Sequence, residues 1–266
     1  MQQLDRRGAA PRGRAHGRLD AVFRDGDGVA AVRPPLGPPP LRHTFVEWPR
    51  AAWGVAQLAI EWRALVTGPA GDGRPVMVLP GLFNSDRSNL VMVRHLTALG
   101  YRASGWGLGR NLGRRTIGAE GERLFARVDE RAAEAGAPVT LIGVSLGGIM
   151  ARLAAHRMPG RVREVITVSS PYAGPARATR VWRAYQRITG DRVDAAETLA
   201  LAALVRSPLP VPATAIWSRS DGLVNGLACR SDDCRAIEIR SSHLGVQLRP
   251  DVLRAIAGIL AEGAAQ

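Results

Sequence analysis

Apolar positions along this chain return with two different periods. Short runs rich in β-branched residues alternate with longer stretches in which apolar residues recur every three or four positions. The first kind reads as buried strand, the second as amphipathic helix. In chain order, a helix is expected across residues 48–66, beginning near Pro49, with Trp53, Ala56, Ile60 and Leu65 as its buried stripe. A strand follows at Pro75–Leu79, a helix at 86–99, a strand at 100–106 and a helix at 117–135. The apolar run 138–144 is a strand that passes directly into an alanine-rich helix ending near His156. Residues 164–169 form the next strand, and 175–207 are helical with a break at Thr189-Gly190-Asp191. The last strands are Ala213–Trp217 and residues 236–240, and Pro250–Glu262 closes the chain as a helix.

Apolar strands separated by helices require a parallel sheet covered on both faces. The expected class is therefore α/β, a mostly parallel doubly wound sheet, occupying residues 71–266. In such sheets ligands bind beyond the carboxyl ends of the strands. Residues 1–45 break the pattern. Pro34-Pro35-Leu36-Gly37-Pro38-Pro39-Pro40 supports neither a helix nor a central strand, so a disordered Pro/Arg-rich arm is expected there. Residues 46–70 would be a separate N-terminal helix. It would pack on the domain, with transient contact to a membrane surface as its alternative use.

Composition excludes several classes. With 46% hydrophobic residues in 266, the chain can bury a substantial core. It has no uncharged apolar run of about 18 residues, so no transmembrane segment is expected. Met1-Gln2-Gln3-Leu4-Asp5-Arg6-Arg7 leads into more arginine, glycine and proline, which does not read as a secretory signal, and a cytoplasmic protein is expected. The formal charge of +13 rests wholly on arginine and would suit a nucleic-acid partner. Yet residues 1–50 hold nine arginines against five acids and the remainder 27 against 18, so the excess is spread along the chain. No aromatic-interleaved basic run accompanies it. The arginines read as solvated surface, and no nucleic-acid partner is expected. Cys229 and Cys234 could close a small loop in an oxidising compartment. Without a second pair or a histidine cluster they do not make a metal site, and neither metal nor cofactor is expected.

Chemistry concentrates at Gly143-Val144-Ser145-Leu146-Gly147, a G-x-S-x-G between a strand and a helix. Such a turn holds serine in a strained backbone conformation and projects its hydroxyl above the sheet edge. An ordinary glycine-rich turn in an α/β protein is the alternative, so the partners decide. Two later strands end in polar loops: Ala213–Trp217 runs into Ser218-Arg219-Ser220-Asp221-Gly222, and residues 236–240 run into Ser241-Ser242-His243. A serine hydroxyl needs a base to take its proton, and the base needs an acid to fix its tautomer. His243 and Asp221 fill those roles in the chain order Ser, Asp, His. Asp221 could instead be only a turn former before Gly222. Asp191, Asp194, Asp232 and Asp233 compete as acids, but Asp221 lies at a strand end. His16, His43, His95 and His156 lie in the arm or within helices, where packed or solvated roles are usual. An oxyanion hole needs two amide donors. One is the amide of Leu146; the other comes from Pro80-Gly81-Leu82-Phe83, with Leu82 the choice and Phe83 the alternative.

Across residues 75–262 the chain resembles the α/β-hydrolase superfamily, and within it serine lipases and esterases. The likeness rests on Leu79-Pro80-Gly81-Leu82, Gly143-Val144-Ser145-Leu146-Gly147-Gly148, Ser169-Ser170-Pro171-Tyr172-Ala173-Gly174 and Trp217-Ser218-Arg219-Ser220-Asp221-Gly222-Leu223-Val224. It implies a short helical cap at about 175–207. The first strand pair of the full fold is not evident before Pro75. The activity implied is cleavage of a small-molecule or lipid carboxylic ester through an acyl-enzyme on Ser145, with Phe83 and Tyr172 near an apolar acyl group. An acyltransferase or thioesterase on the same triad, and a binding protein on a retained hydrolase fold, are the alternatives.

Overall fold

The computed structural model describes residues 36–190 and 192–263. Residues 1–35 of the expected arm, with His16, and Asp191 of the helical break lie outside the described residues. Residues 36–45, also expected in the arm, lie against the domain instead. Proline and glycine carbonyls still accept hydrogen bonds, and here Asn225 Nδ2 donates to Gly37 O at 2.8 Å and Arg180 Nη2 to Pro39 O at 2.5 Å. The chain then forms a short helix α1, Leu41–Phe45, and a long helix α2, Glu47–Leu65.

Three of the four positions expected in the buried stripe of α2, Trp53, Ala56 and Ile60, face solvent, and the fourth, Leu65, is buried as expected. Trp53 and Ile60 are 61% and 80% exposed. Glu47 and Gly54 share the inward face with Leu65, and Leu58 and Trp62 pack on the core beside them. These positions also recur every three or four residues, so periodicity alone could not choose between the two faces. The choice falls to what the domain offers. The inward face meets the closing helix, and its first turn meets two loops described below.

The described residues that follow form strands covered by helices. It runs β1 Pro75–Leu79, α3 Asp86–Ala98, β2 Arg102–Gly105, α4 Arg114–Ile117, α5 Glu122–Ala135, β3 Val139–Val144 and α6 Leu146–Arg157. It continues with β4 Val162–Val168, α7 Trp182–Thr189, α8 Ala196–Arg206, β5 Ala213–Trp217, β6 Arg235–Glu238 and α9 Pro250–Glu262. The helix expected at 117–135 begins only at Glu122, and Ile117 instead ends the short α4, because the chain turns at Gly118 and Gly121, both with positive φ.

The six strands pair in parallel throughout, in the order β2-β1-β3-β4-β5-β6. Side chains alternate across the sheet, so each central strand feeds two cores. Val76 and Val78 of β1 join Ile142, Ile166 and Ile216 in one, roofed by α3 and α9 with Leu65 of α2. Met77 and Leu79 join Leu141 and Val165 in the other, under α5, α6 and α8. Strand order reverses between β1 and β3, and a crevice opens at the carboxyl ends of such neighbours. The turns after β1 and β3 both emerge there. Among the described residues no helix is long and apolar enough to cross a membrane.

Candidate active site

β3 ends at Val144 and α6 begins at Leu146, leaving Ser145 alone to make the turn. Its backbone sits at φ 52°, ψ −119°, a conformation that L side chains rarely adopt and that costs on the order of 1–3 kcal/mol. The surroundings hold it there. Ser145 N donates to Val168 O at 2.8 Å, while Gly148 N (3.0 Å) and Ser170 Oγ both donate to Ser145 O. A side chain at Gly143 would strike the backbone of Gly147 and Gly148, and one at Gly147 the backbone of Leu79 and Pro80. The two glycines therefore let the start of α6 lie directly on the ends of β1 and β3.

The loops after β5 and β6 bring their polar residues to the same place. Asp221 is 1% exposed, and its two oxygens have separate duties. Oδ1 accepts from Leu223 N at 2.9 Å and Val224 N at 2.8 Å; Oδ2 lies 2.7 Å from His243 Nδ1. On the other side of the ring, His243 Nε2 lies 3.1 Å from Ser145 Oγ. A carboxylate can only accept, so Nδ1 carries the ring proton and the Nε2 lone pair faces the serine hydroxyl. Burial works against the charged imidazolium. The charge of Asp221, its hydrogen bond and the charge of Glu47 outweigh it and raise the His243 pKa.

Most of the described competitors have other surroundings. Asp194 pairs with Arg192 at 3.0 Å, and Asp232 and Asp233 are exposed. His95 is buried against the Trp62 ring, where burial lowers its pKa; burial, followed by the charge of Arg152, also lowers that of His156. Cys229 and Cys234 are both free thiols.

The turn after β1 approaches Ser145 closely: a Cβ on Gly81 would lie 3.3 Å from Ser145 Cβ. Phe83 N already donates to Asn111 O at 2.8 Å. No bond to a described residue occupies Leu82 N, so of the two expected donors Leu82 is the uncommitted one. Asn111, fully buried, secures this turn by donating from Nδ2 to Pro80 O at 2.7 Å. Beside Ser145 a cavity of about 160 Å³ opens between the sheet edge and α7–α8. Leu82, Leu146 and Tyr172 line it together with Trp182, Leu201 and Val205; Phe83 does not. Tyr172 is buried, its ring under the Arg152 guanidinium at 3.9 Å and its hydroxyl 3.2 Å from Ser231 Oγ.

Glu47 and Asn111 escaped the sequence reading. An acidic residue in the first turn of a helix is common because it complements the helix dipole, so Glu47 gave no special signal. Asn111, in a glycine-rich loop, looked like any turn residue.

No family model matches this chain, and no curated protein matches it by sequence. Solved structures do resemble it. A metagenome-derived lipolytic enzyme is 16% identical with a TM-score of 0.53, over 73% of this chain and 96% of its own. A lipase of Bacillus licheniformis is 17% identical with a TM-score of 0.53, over 73% and 94%. A monoacylglycerol lipase of Paleococcus ferrophilus is 16% identical with a TM-score of 0.50, over 73% and 97%. At these identities the likeness establishes the architecture: the chain has the α/β-hydrolase fold.

Proposed function

We propose that a chain with this fold and this row of side chains is a serine hydrolase of carboxylic esters. The observation that carries the reading is the continuous contact from Ser145 Oγ through His243 to Asp221, at 3.1 and 2.7 Å. Ser145 Oγ attacks the ester carbonyl carbon as His243 Nε2 takes its proton. The carbonyl oxygen becomes an oxyanion and accepts from the amides of Leu146 and Leu82. Collapse breaks the bond to the alcohol oxygen, which leaves with the proton from His243, and the acyl group stays on Ser145. Water, deprotonated by the same imidazole, then attacks the acyl carbon; the bond to Ser145 Oγ breaks, Oγ takes the proton back from His243, and the acid is released. A fluorophosphonate probe should label Ser145, read as a mass increment on its peptide. A folded protein that stays unlabelled would sink the proposal.

The acyl group would occupy the cavity beneath α7 and α8, whose lining by Leu201, Ala202 and Val205 favours an apolar chain. Ala202→Phe should fill part of that space from α8. The kcat/KM for an octanoyl nitrophenyl ester should fall about tenfold or more while that for the acetyl ester holds, since each methylene in an apolar pocket is worth about 1–3 kcal/mol. Equal losses on both esters would remove the cavity from the acyl path.

A further inference from the structure

Helix α2 reaches the site through one buried side chain. Glu47, on its first turn, is 1% exposed. Its Oε1 accepts from Gly222 N at 2.7 Å and His243 N at 3.0 Å, and its Oε2 from Leu244 N at 2.8 Å. Gly222 directly follows Asp221. One carboxylate thus binds the backbone of the loop after β5 and of the loop after β6, the two loops that carry the acid and the imidazole.

The neighbouring side chains do less. Thr44 Oγ1 donates to Gly222 O at 2.7 Å, and Arg50 donates to Ser220 O at 2.7 Å and to Ser220 Oγ at 2.6 Å. Both tie α1 and α2 to the acid loop only. Simple packing does not call for a carboxylate here, because burying one is costly unless hydrogen bonds satisfy it. The three amides converge on Glu47 and meet that requirement.

We propose that Glu47 is a positioning residue of the active site. By clasping both loops through their backbone amides, it sets the separation of Asp221 from the imidazole and so the aim of Nε2 at Ser145. It touches no reacting atom. The inference rests on the hydrolase reading for what that geometry serves. Two acidic side chains raise the pKa of the His243 ring, Asp221 from the loop after β5 and Glu47 from α2. Loss of either charge makes the imidazolium easier to deprotonate, so the acidic limb of kcat/KM, which reports the base in the free enzyme, moves to lower pH.

The test is Glu47→Gln, with Trp53→Ala on the exposed face of α2 as a control expected to match the wild type. A small misplacement of a catalytic group costs up to about 100-fold, so kcat should fall on the order of 10–100-fold with KM within about threefold, and the acidic limb should shift down. A folded Gln variant with wild-type kcat and limb overturns the assignment. So does a loss of kcat that merely follows the folded fraction with the limb unmoved. If the Gln variant does not fold, Glu47→Asp keeps the charge and shortens the reach. It should lose kcat on the same scale with the limb in place, and undiminished kcat would equally overturn the proposal. An inert wild type would defeat the hydrolase reading alone. The clamp is then decided without substrate, by NMR titration of the His243 ring. The ring should titrate at lower pH in the Gln variant, and an unmoved titration there sinks the clamp.

Discussion

Ser145→Ala should lower kcat for a short-chain nitrophenyl ester by about 10⁶-fold while the melting temperature stays within about 2 °C of the wild type. The two halves of that result have separate causes. Catalysis is lost because, among the described residues, no other hydroxyl meets His243 Nε2 in place of Ser145 Oγ. Ser170 is next to the turn at Ser145, but its Oγ already donates to Ser145 O, and Ser218 Oγ donates to Ser241 O at 3.0 Å. Stability is kept because everything that holds the turn acts on the backbone of residue 145, namely Val168 O, Gly148 N and Ser170 Oγ. Alanine retains the Cβ and bears the same positive φ. Substrate binding in the cavity under α8 should also persist, so KM should change little. Turnover that survives in a folded Ser145→Ala protein would place the chemistry on another group and end the serine mechanism.

The parts of this site that were readable from sequence share one property: each is announced by a local pattern at a strand end. Gly143 and Gly147 mark the turn at Ser145 because a side chain there would meet backbone, a restriction that five consecutive residues express. Asp221 and His243 stand out because apolar strands precede them. What was not readable depends on distance along the chain. Glu47 meets partners 175, 196 and 197 residues away, and nothing near residue 47 encodes loops that distant. The same long-range contact explains the misreading of α2. Trp53 and Ile60 look like core residues, yet seating Glu47 on the loops turns the opposite face inward and leaves them exposed. The extent of the arm failed for a related reason. Proline in 34–40 excludes regular structure but does not stop a carbonyl from accepting, and Asn225 and Arg180 use Gly37 O and Pro39 O.

Asp221→Asn should cost about 10⁴-fold in kcat, the loss expected when an imidazole is held in the wrong tautomer. The two duties of Asp221 make the argument specific. Its Oδ1 accepts from the amides of Leu223 and Val224, and the carbonyl oxygen of asparagine can do the same. The asparagine NH₂ then occupies the Oδ2 position beside His243 Nδ1, now donor against donor unless Nδ1 gives up its proton. The ring proton moves to Nε2, which presents N–H rather than a lone pair to Ser145. The fold should survive, since the loop keeps its two amide bonds. The sign of the pH effect follows from the raised His243 pKa. In the wild type, activity appears as pH rises through that value and is lost as pH falls below it. Without the Asp221 charge the limb moves to lower pH, beneath a plateau about 10⁴-fold down. Asp221→Ala separates the two duties: it also strips the Leu223 and Val224 amides of their acceptor, at a cost of about 1–3 kcal/mol for each buried group left unsatisfied. Asparagine and alanine variants with kcat within tenfold of the wild type would reduce Asp221 to a turn former and leave His243 without its acid.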